Sequence, residues 1–303
     1  MRIILVFLDG VGLGVDDPRT NPLARPESMP FLAEMMGRRL VLSSFPWDNE
    51  EGGGVAVDPL LGVPGLPQSA TGQASLLTGT NAQAFLGRHQ NGFPGRALRR
   101  LIAERSIFRR LEERGRKALF ANAFTAEYFA AVAVGRWRHS ATTLAALAGG
   151  RPLRFLADLL AGRAVYQDIT CASLRERGYE VPLVSPQEAG ANLARLAREA
   201  DFTLFEYFQT DLAGHAREMD RALERLGEVD AFLAALLAGV DPIEDLVVIT
   251  SDHGNIEDLG VSTHTANPVP VLAFGRGAHK FLAGLGRLDE IAPRILAFLT
   301  GKD

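Results

Sequence analysis

Seven side chains in this sequence carry the chemistry of a metal centre with a nucleophile beside it: Asp9, Ser69, Asp211, His215, Asp252, His253 and His264. Three carboxylates and three imidazoles offer mixed oxygen and nitrogen donors, which suit borderline divalent ions such as Mn²⁺ or Zn²⁺. That is too many ligands for one ordinary open site, and about right for two. Paired ions roughly 3.5–4 Å apart stabilise both the attacking and the leaving oxygen in displacement at phosphorus. Pro67-Gln68-Ser69-Ala70-Thr71-Gly72-Gln73 adds a hydroxyl beside glycine, opening an expected helix over Ala74 to Leu77. A helix N-terminus also favours anions, so a hydroxyl of this segment, Ser69 or its rival Thr71, could be a nucleophile.

Taken singly, each signal is weak. Asp-Gly after a strand is ordinarily a turn, Asp-x-x-x-His ordinarily a helix-start carboxylate with a surface histidine, and a hydroxyl before a helix ordinarily a cap. The conjunction is stronger, because three of only six histidines fall in it, each in a motif with a neighbouring Asp or Thr. Arg88, His89 and Asn91 follow the nucleophile helix and are further candidates for holding substrate phosphate. Arg136, Arg138 and His139 could face the cleft but read first as an exposed basic cluster, the aromatics from Phe202 to Phe208 read as core rather than a base-stacking platform, and Cys171 as a small core residue.

The elements that must position these residues are strands with acidic ends. Ile3 to Leu8 is a continuous apolar run of the kind buried on both faces of a parallel sheet, and it ends at Asp9-Gly10. Phe202 to Gln209 leads to Asp211, Leu246 to Thr250 leads to Asp252-His253, and Val269 to Phe274 ends at Gly275. Helical spacing marks 188–199, 219–237 and a last helix around Ile291 to Leu299. The expected fold class is therefore α/β, a mainly parallel sheet flanked by helices. Ligands of such sheets gather at the carboxyl ends of the strands, where these carboxylates fall. The rhythm lapses in the middle, so residues 1–85 and 187–303 read as one discontinuous metal-binding domain and 86–186 as an inserted cap. Glu51-Gly52-Gly53-Gly54 reads as a mobile loop.

Composition narrows the setting. The chain has 303 residues, is 47% hydrophobic and has a formal net charge of −4, without the basic excess of a nucleic-acid or anionic-membrane surface. A single cysteine excludes an intramolecular disulfide and a thiolate cluster, and suggests a reducing, cytoplasmic compartment. No segment reaches the roughly 18 apolar residues of a membrane helix. The expected partner is a small phosphorylated metabolite.

Leu8-Asp9-Gly10, Gln68-Ser69-Ala70-Thr71-Gly72, Asp211-Leu212-Ala213-Gly214-His215, Thr250-Ser251-Asp252-His253-Gly254-Asn255 and His264-Thr265-Ala266-Asn267-Pro268-Val269-Pro270 together resemble the alkaline phosphatase superfamily. The similar branch contains cofactor-independent phosphoglycerate mutase and phosphopentomutase. The resemblance implies an alkaline-phosphatase-like fold. It implies one metal surrounded by Asp9, Ser69, Asp252 and His253, a second held by Asp211, His215 and His264, and a transiently phosphorylated Ser69. The middle segment departs from the mutases: the arginine array that grips phosphoglycerate there has no counterpart motif here. Ala161 to Thr170 does resemble a mutase stretch, but lies well downstream of its place in that family. A phosphohydrolase is therefore expected ahead of a phosphomutase, with a non-catalytic metal-binding module as a third reading.

Overall fold

The computed structural model describes residues 1–301. Its strands are β1 (Arg2–Leu8), β2 (Trp47–Asp48), β3 (Gly52–Val57), β4 (Ala118–Phe120), β5 (Ala123–Phe124), β6 (Arg154–Phe155), β7 (Phe202–Tyr207), β8 (Asp245–Thr250) and β9 (Val269–Gly275). Among the described residues, a seven-stranded sheet runs in the order β2-β3-β9-β8-β1-β7-β4. β1 is central and parallel to both β7 and β8. It is apolar throughout because both faces are covered. Ile3, Leu5 and Phe7 pack into a core with the helices Ser69–Thr78, Arg96–Arg105 and Ile291–Thr300. Ile4, Val6 and Leu8 face the helices Pro186–Ala197 and Met219–Gly239.

The sheet is mixed. β9 runs antiparallel to β8 and to β3. This reversal matters for the site, because it brings the segment before β9, which carries His264, to the edge where β1, β7 and β8 end. A parallel β9 would have put His264 on the opposite edge.

Two expectations change on the fold. Gly52-Gly53-Gly54 is not a mobile loop but the buried start of β3. A Cβ at Gly52 would strike the Ala273 carbonyl, and one at Gly54 the Trp47 ring nitrogen, so the glycines allow β3 to lie flat between its neighbours. Residues 86–186 are not laid out as one separate body. The helices Arg96–Arg105 and Ile107–Glu112 belong to the main core, and β4 extends the main sheet beside β7. β4 is only three residues long, too short for a readable alternation. Beyond it, β5 and β6 form their own parallel pair, over a small core of Ala123, Ala164, Tyr166, Cys171, Leu174 and Val181. No helix among the described residues is long and apolar enough to cross a membrane.

Candidate metal centre

The parallel pairing of β1 with β8 places Phe7 beside Thr250, so the residues just beyond the two strands, Asp9 and Asp252, meet. His253 Nε2 lies 3.3 Å from Asp9 Oδ1 and 3.5 Å from Asp252 Oδ2. Ser69 is the first residue of the helix Ser69–Thr78, and its Oγ is 3.0 Å from the same His253 Nε2. The helix can approach this closely because residue 72 is glycine: a Cβ there would sit 2.9 Å from the Asp252 carbonyl oxygen.

After β7 the chain enters the helix Gln209–Ala216, whose first turn carries Asp211 and whose last carries His215. One helical turn apart, they approach to 3.4 Å between Oδ2 and Nε2. His264 Nε2 lies 3.3 Å from His215 Nε2 and 3.7 Å from Asp211 Oδ1. Its Nδ1–H donates to the Pro67 carbonyl at 3.0 Å, which fixes the ring with Nε2 turned to the site. The His253 and His264 rings stack with centroids 3.8 Å apart. Two triads thus converge, Asp9 with Asp252 and His253, and Asp211 with His253 and His264, and His253 is common to both.

The fold brings all seven expected residues to one rim. Of the two hydroxyls, Ser69 faces His253. Thr71 is fully buried, donates to the Gln68 carbonyl and accepts from the Gln90 N–H, so it serves the turn instead.

Burial makes this rim electrically unstable by itself. Desolvation, followed by the charges of Asp252 and Asp211, holds the Asp9 carboxyl well above its usual range. Burial and Asp211 push Asp252 up to about 8. Burial and His264 hold His253 well below an ordinary imidazole. Asp9 Oδ1, Asp252 Oδ2 and His253 Nδ1 are buried with no hydrogen-bond partner among the described residues. No Lys or Arg there pairs with Asp9, Asp211 or Asp252. Orphaned acceptors and uncompensated carboxylates fit bound divalent cations, which would hold the carboxylates ionised.

Several residues take supporting roles that the sequence did not assign, and Glu257 lay outside every motif. Glu257 is 1% exposed, and one oxygen accepts the Gly12 and Asn255 N–H groups at 3.0 and 2.7 Å. Its other oxygen takes the Thr265 hydroxyl and the Asn267 amide, so a single carboxylate ties together the loops after β1, after β8 and before β9. Asn255 Nδ2 donates to Asp211 Oδ1 at 2.7 Å and Gln73 Nε2 to Asp9 Oδ2 at 3.1 Å. Glu257 lies only four residues past His253, and Gln73 four past Ser69; proximity to a ligand was their one available signal.

The rim opens into a cavity of about 380 Å³ lined by Asp9, Ser69 and Asp211 and by aromatic residues of the middle segment. Arg88, His89 and Asn91 are not in its lining, which takes Gly92 and Phe93 instead. The His89 ring is engaged with the Val63 carbonyl at 3.0 Å. Arg138, expected on an exposed cluster, does line the cavity, as does Phe208, while Phe202, Phe205 and Tyr207 are core.

Residues 177–303 match the family model of the Metalloenzyme superfamily. A 2,3-bisphosphoglycerate-independent phosphoglycerate mutase of Microcystis aeruginosa is 36% identical over 108 residues, 31% of this chain and 20% of that protein. The mutase of Methylobacillus flagellatus is 28% identical over 113 residues, 35% of this chain and 22% of that protein. The shared stretch is thus about a fifth of the length of these relatives. Among solved structures, the PH0037 protein of Pyrococcus horikoshii aligns over 100% of this chain and 97% of its own, with TM-score 0.61 and 18% identity. Alkaline phosphatase from the Antarctic bacterium TAB5 aligns over 100% and 98%, with TM-score 0.57 and 15% identity. The structures share the fold, and the stretch that matches the Metalloenzyme superfamily model carries Asp211, Asp252, His253 and His264; together these findings support membership of the alkaline phosphatase superfamily.

Proposed function

We propose that this chain is a two-metal phosphoryl-transfer enzyme acting on a small phosphate monoester through a phosphoserine at Ser69, with water as the final acceptor. The observation that carries the reading is Ser69 Oγ, on the first turn of its helix, 3.0 Å from His253 and beside buried Asp9 and Asp252. Asp9, Ser69, Asp252 and His253 would hold one ion and Asp211, His215 and His264 the other, and Mn²⁺ or Zn²⁺ suits these donors. Bound there, divalent ions supply positive charge to the phosphoryl oxygens and lower the pKa of the hydroxyl.

Ser69 Oγ attacks phosphorus in line, forming the Oγ–P bond as the ester P–O bond breaks and the alcohol departs. Water then takes the phosphoryl group from Ser69, releasing inorganic phosphate and restoring the hydroxyl. The helix N-terminus under Ser69 draws the anionic group to it. Gln73, Asn255 and the Pro67 carbonyl keep Asp9, Asp211 and His264 from turning away, so little reorganisation is left for the reaction itself.

A mutase outcome, with the phosphoryl group returned to a second hydroxyl of the same molecule, is favoured by the names of the sequence relatives. Against it, the cavity lining draws guanidinium groups only from Arg138 and Arg177, far short of an array that would grip a phosphoglycerate. Phosphorus NMR of Mn²⁺- or Zn²⁺-loaded protein with phosphoglycerates, pentose phosphates and an aryl phosphate separates the outcomes. Free phosphate that vanishes in Ser69→Ala is expected. Isomerised ester without free phosphate would make the enzyme a mutase, and no reaction with both metals bound would favour a binding module.

A further inference from the structure

The cavity above the rim has a lining that phosphoryl transfer alone does not call for. Phe93, Phe124, Tyr128, Trp137, Tyr166 and Phe208 all border it. Trp137 is 54% exposed and Phe93 47%, although burying rings of this size elsewhere would be favourable. These are not loose surface residues. Phe108 and Phe120, both buried, begin a run of ring contacts that continues from Phe120 to Phe124 at 5.9 Å, Phe124 to Tyr128 at 5.3 Å and Tyr128 to Trp137 at 5.8 Å. The outermost ring is thereby anchored to the core, and the wall is formed before any ligand arrives.

The polar groups of the cavity complete the pattern. Glu206 is 8% exposed, with its backbone clamped by the Asn122 side chain and its Oε2 accepting from Thr142 at 2.7 Å. Its Oε1 has no hydrogen-bond partner among the described residues, although Glu206 lines the cavity. Arg177 is already occupied, donating to the Tyr166 hydroxyl and lying over the Tyr179 ring. A compact polyanion would find one free guanidinium along this lining, that of Arg138. A planar ring would find faces to stack on, and a hydroxyl or amine would find an acceptor.

We infer that the phosphate ester accepted at Ser69 bears a planar aromatic group, stacked on the wall around Tyr128 and Trp137, and a hydrogen-bond donor met by Glu206. The chemical class is that of a nucleoside monophosphate. The inference deepens the proposed function and rests on it.

Adenosine 5′-monophosphate and ribose 5-phosphate test it, because they share the scissile bond and the primary alcohol that leaves, and differ in the base. With the Mn²⁺-loaded full chain, kcat/KM is expected to favour the nucleotide by about tenfold or more. In Trp137→Ala and Tyr128→Ala that ratio falls toward unity, while Phe85→Ala, an exposed ring outside the cavity, keeps it. Equal kcat/KM for the two esters, or a ratio untouched by both wall variants, overturns the inference and leaves the proposed reaction standing. If neither ester is cleaved, the proposed reaction fails for this class and calorimetry decides the inference. Nucleotide bound about tenfold more tightly than ribose 5-phosphate, with the margin lost in Trp137→Ala, supports it. Equal affinities overturn it.

Discussion

Asp252 and His253 are wholly buried and held by backbone and side chain alike, whereas Trp137, on the wall of the cavity above the rim, is more than half exposed. The rim is assembled from the ends of strands far apart in sequence and admits no change of size. Gly10, Gly12, Gly72 and Gly254 each have a rim or supporting side chain where a Cβ would go. Half of the wall's rings, Phe124, Tyr128 and Trp137, come from one short stretch and stand on ring contacts that many apolar side chains could approximate. On the proposed reading, chemistry is fixed in one half of the cavity and the choice of ester is left to the other.

If that division holds, the largest effect should come from the rim. Ser69→Ala is expected to lower turnover by about a thousandfold or more and to remove the phosphoenzyme, with both metals retained by elemental analysis. Loss of the phosphoenzyme in Thr71→Ala instead would move the nucleophile. Next comes Glu257→Gln, which keeps the shape but turns one acceptor into a donor facing N–H groups. Metal affinity measured by chelator competition should fall about 10–100-fold, and unchanged affinity would mean that the three loops do not depend on that carboxylate.

Glu206 sharpens the boundary between the halves. Burial raises its pKa from 4.5 to about 7, so the folded protein favours the neutral acid. Its contribution to stability is complete below pH 4.5 and is lost as pH rises through about 7. Relative to Glu206→Gln, the wild type should lose up to about 3 kcal/mol across that window, read by denaturant unfolding. Parallel pH profiles for the two proteins would show that Glu206 ionises freely. The smallest effect belongs to Thr71→Ala, expected to cost about 1 kcal/mol through its lost turn hydrogen bonds, with phosphoenzyme still formed.

The rim was legible because its carboxylates and scarce histidines follow strongly apolar strands: Asp9 after Ile3–Leu8, Asp252-His253 after Leu246–Thr250. What could not be read was anything decided by pairing at a distance. The antiparallel direction of β9 leaves no mark on Val269–Phe274, yet it alone delivers His264 to the rim. Glu257 is one glutamate among many until three loops close around it. The Gly52–Gly54 run looks like a flexible loop until Trp47, Ala273 and Phe274 fill the space beside it. Arg88, His89 and Asn91 were chosen for charge and nearness to Ser69. Phe124, Tyr128 and Trp137, which do line the cavity, are rings that a sequence pattern assigns to the core.

The central place of β1 also bears on how the molecule comes into being. Arg2 pairs with Asp245, a separation of 243 residues, and β1 forms its other edge against β7. At about 5–20 residues per second, a ribosome needs roughly ten seconds or more to deliver those partners. For that interval the most apolar strand of the sheet has both edges unpaired, as a newborn segment that cannot yet be closed off. Such long-range pairing makes folding slow, and β1 is therefore expected to depend on chaperone protection until β7 and β8 have been made.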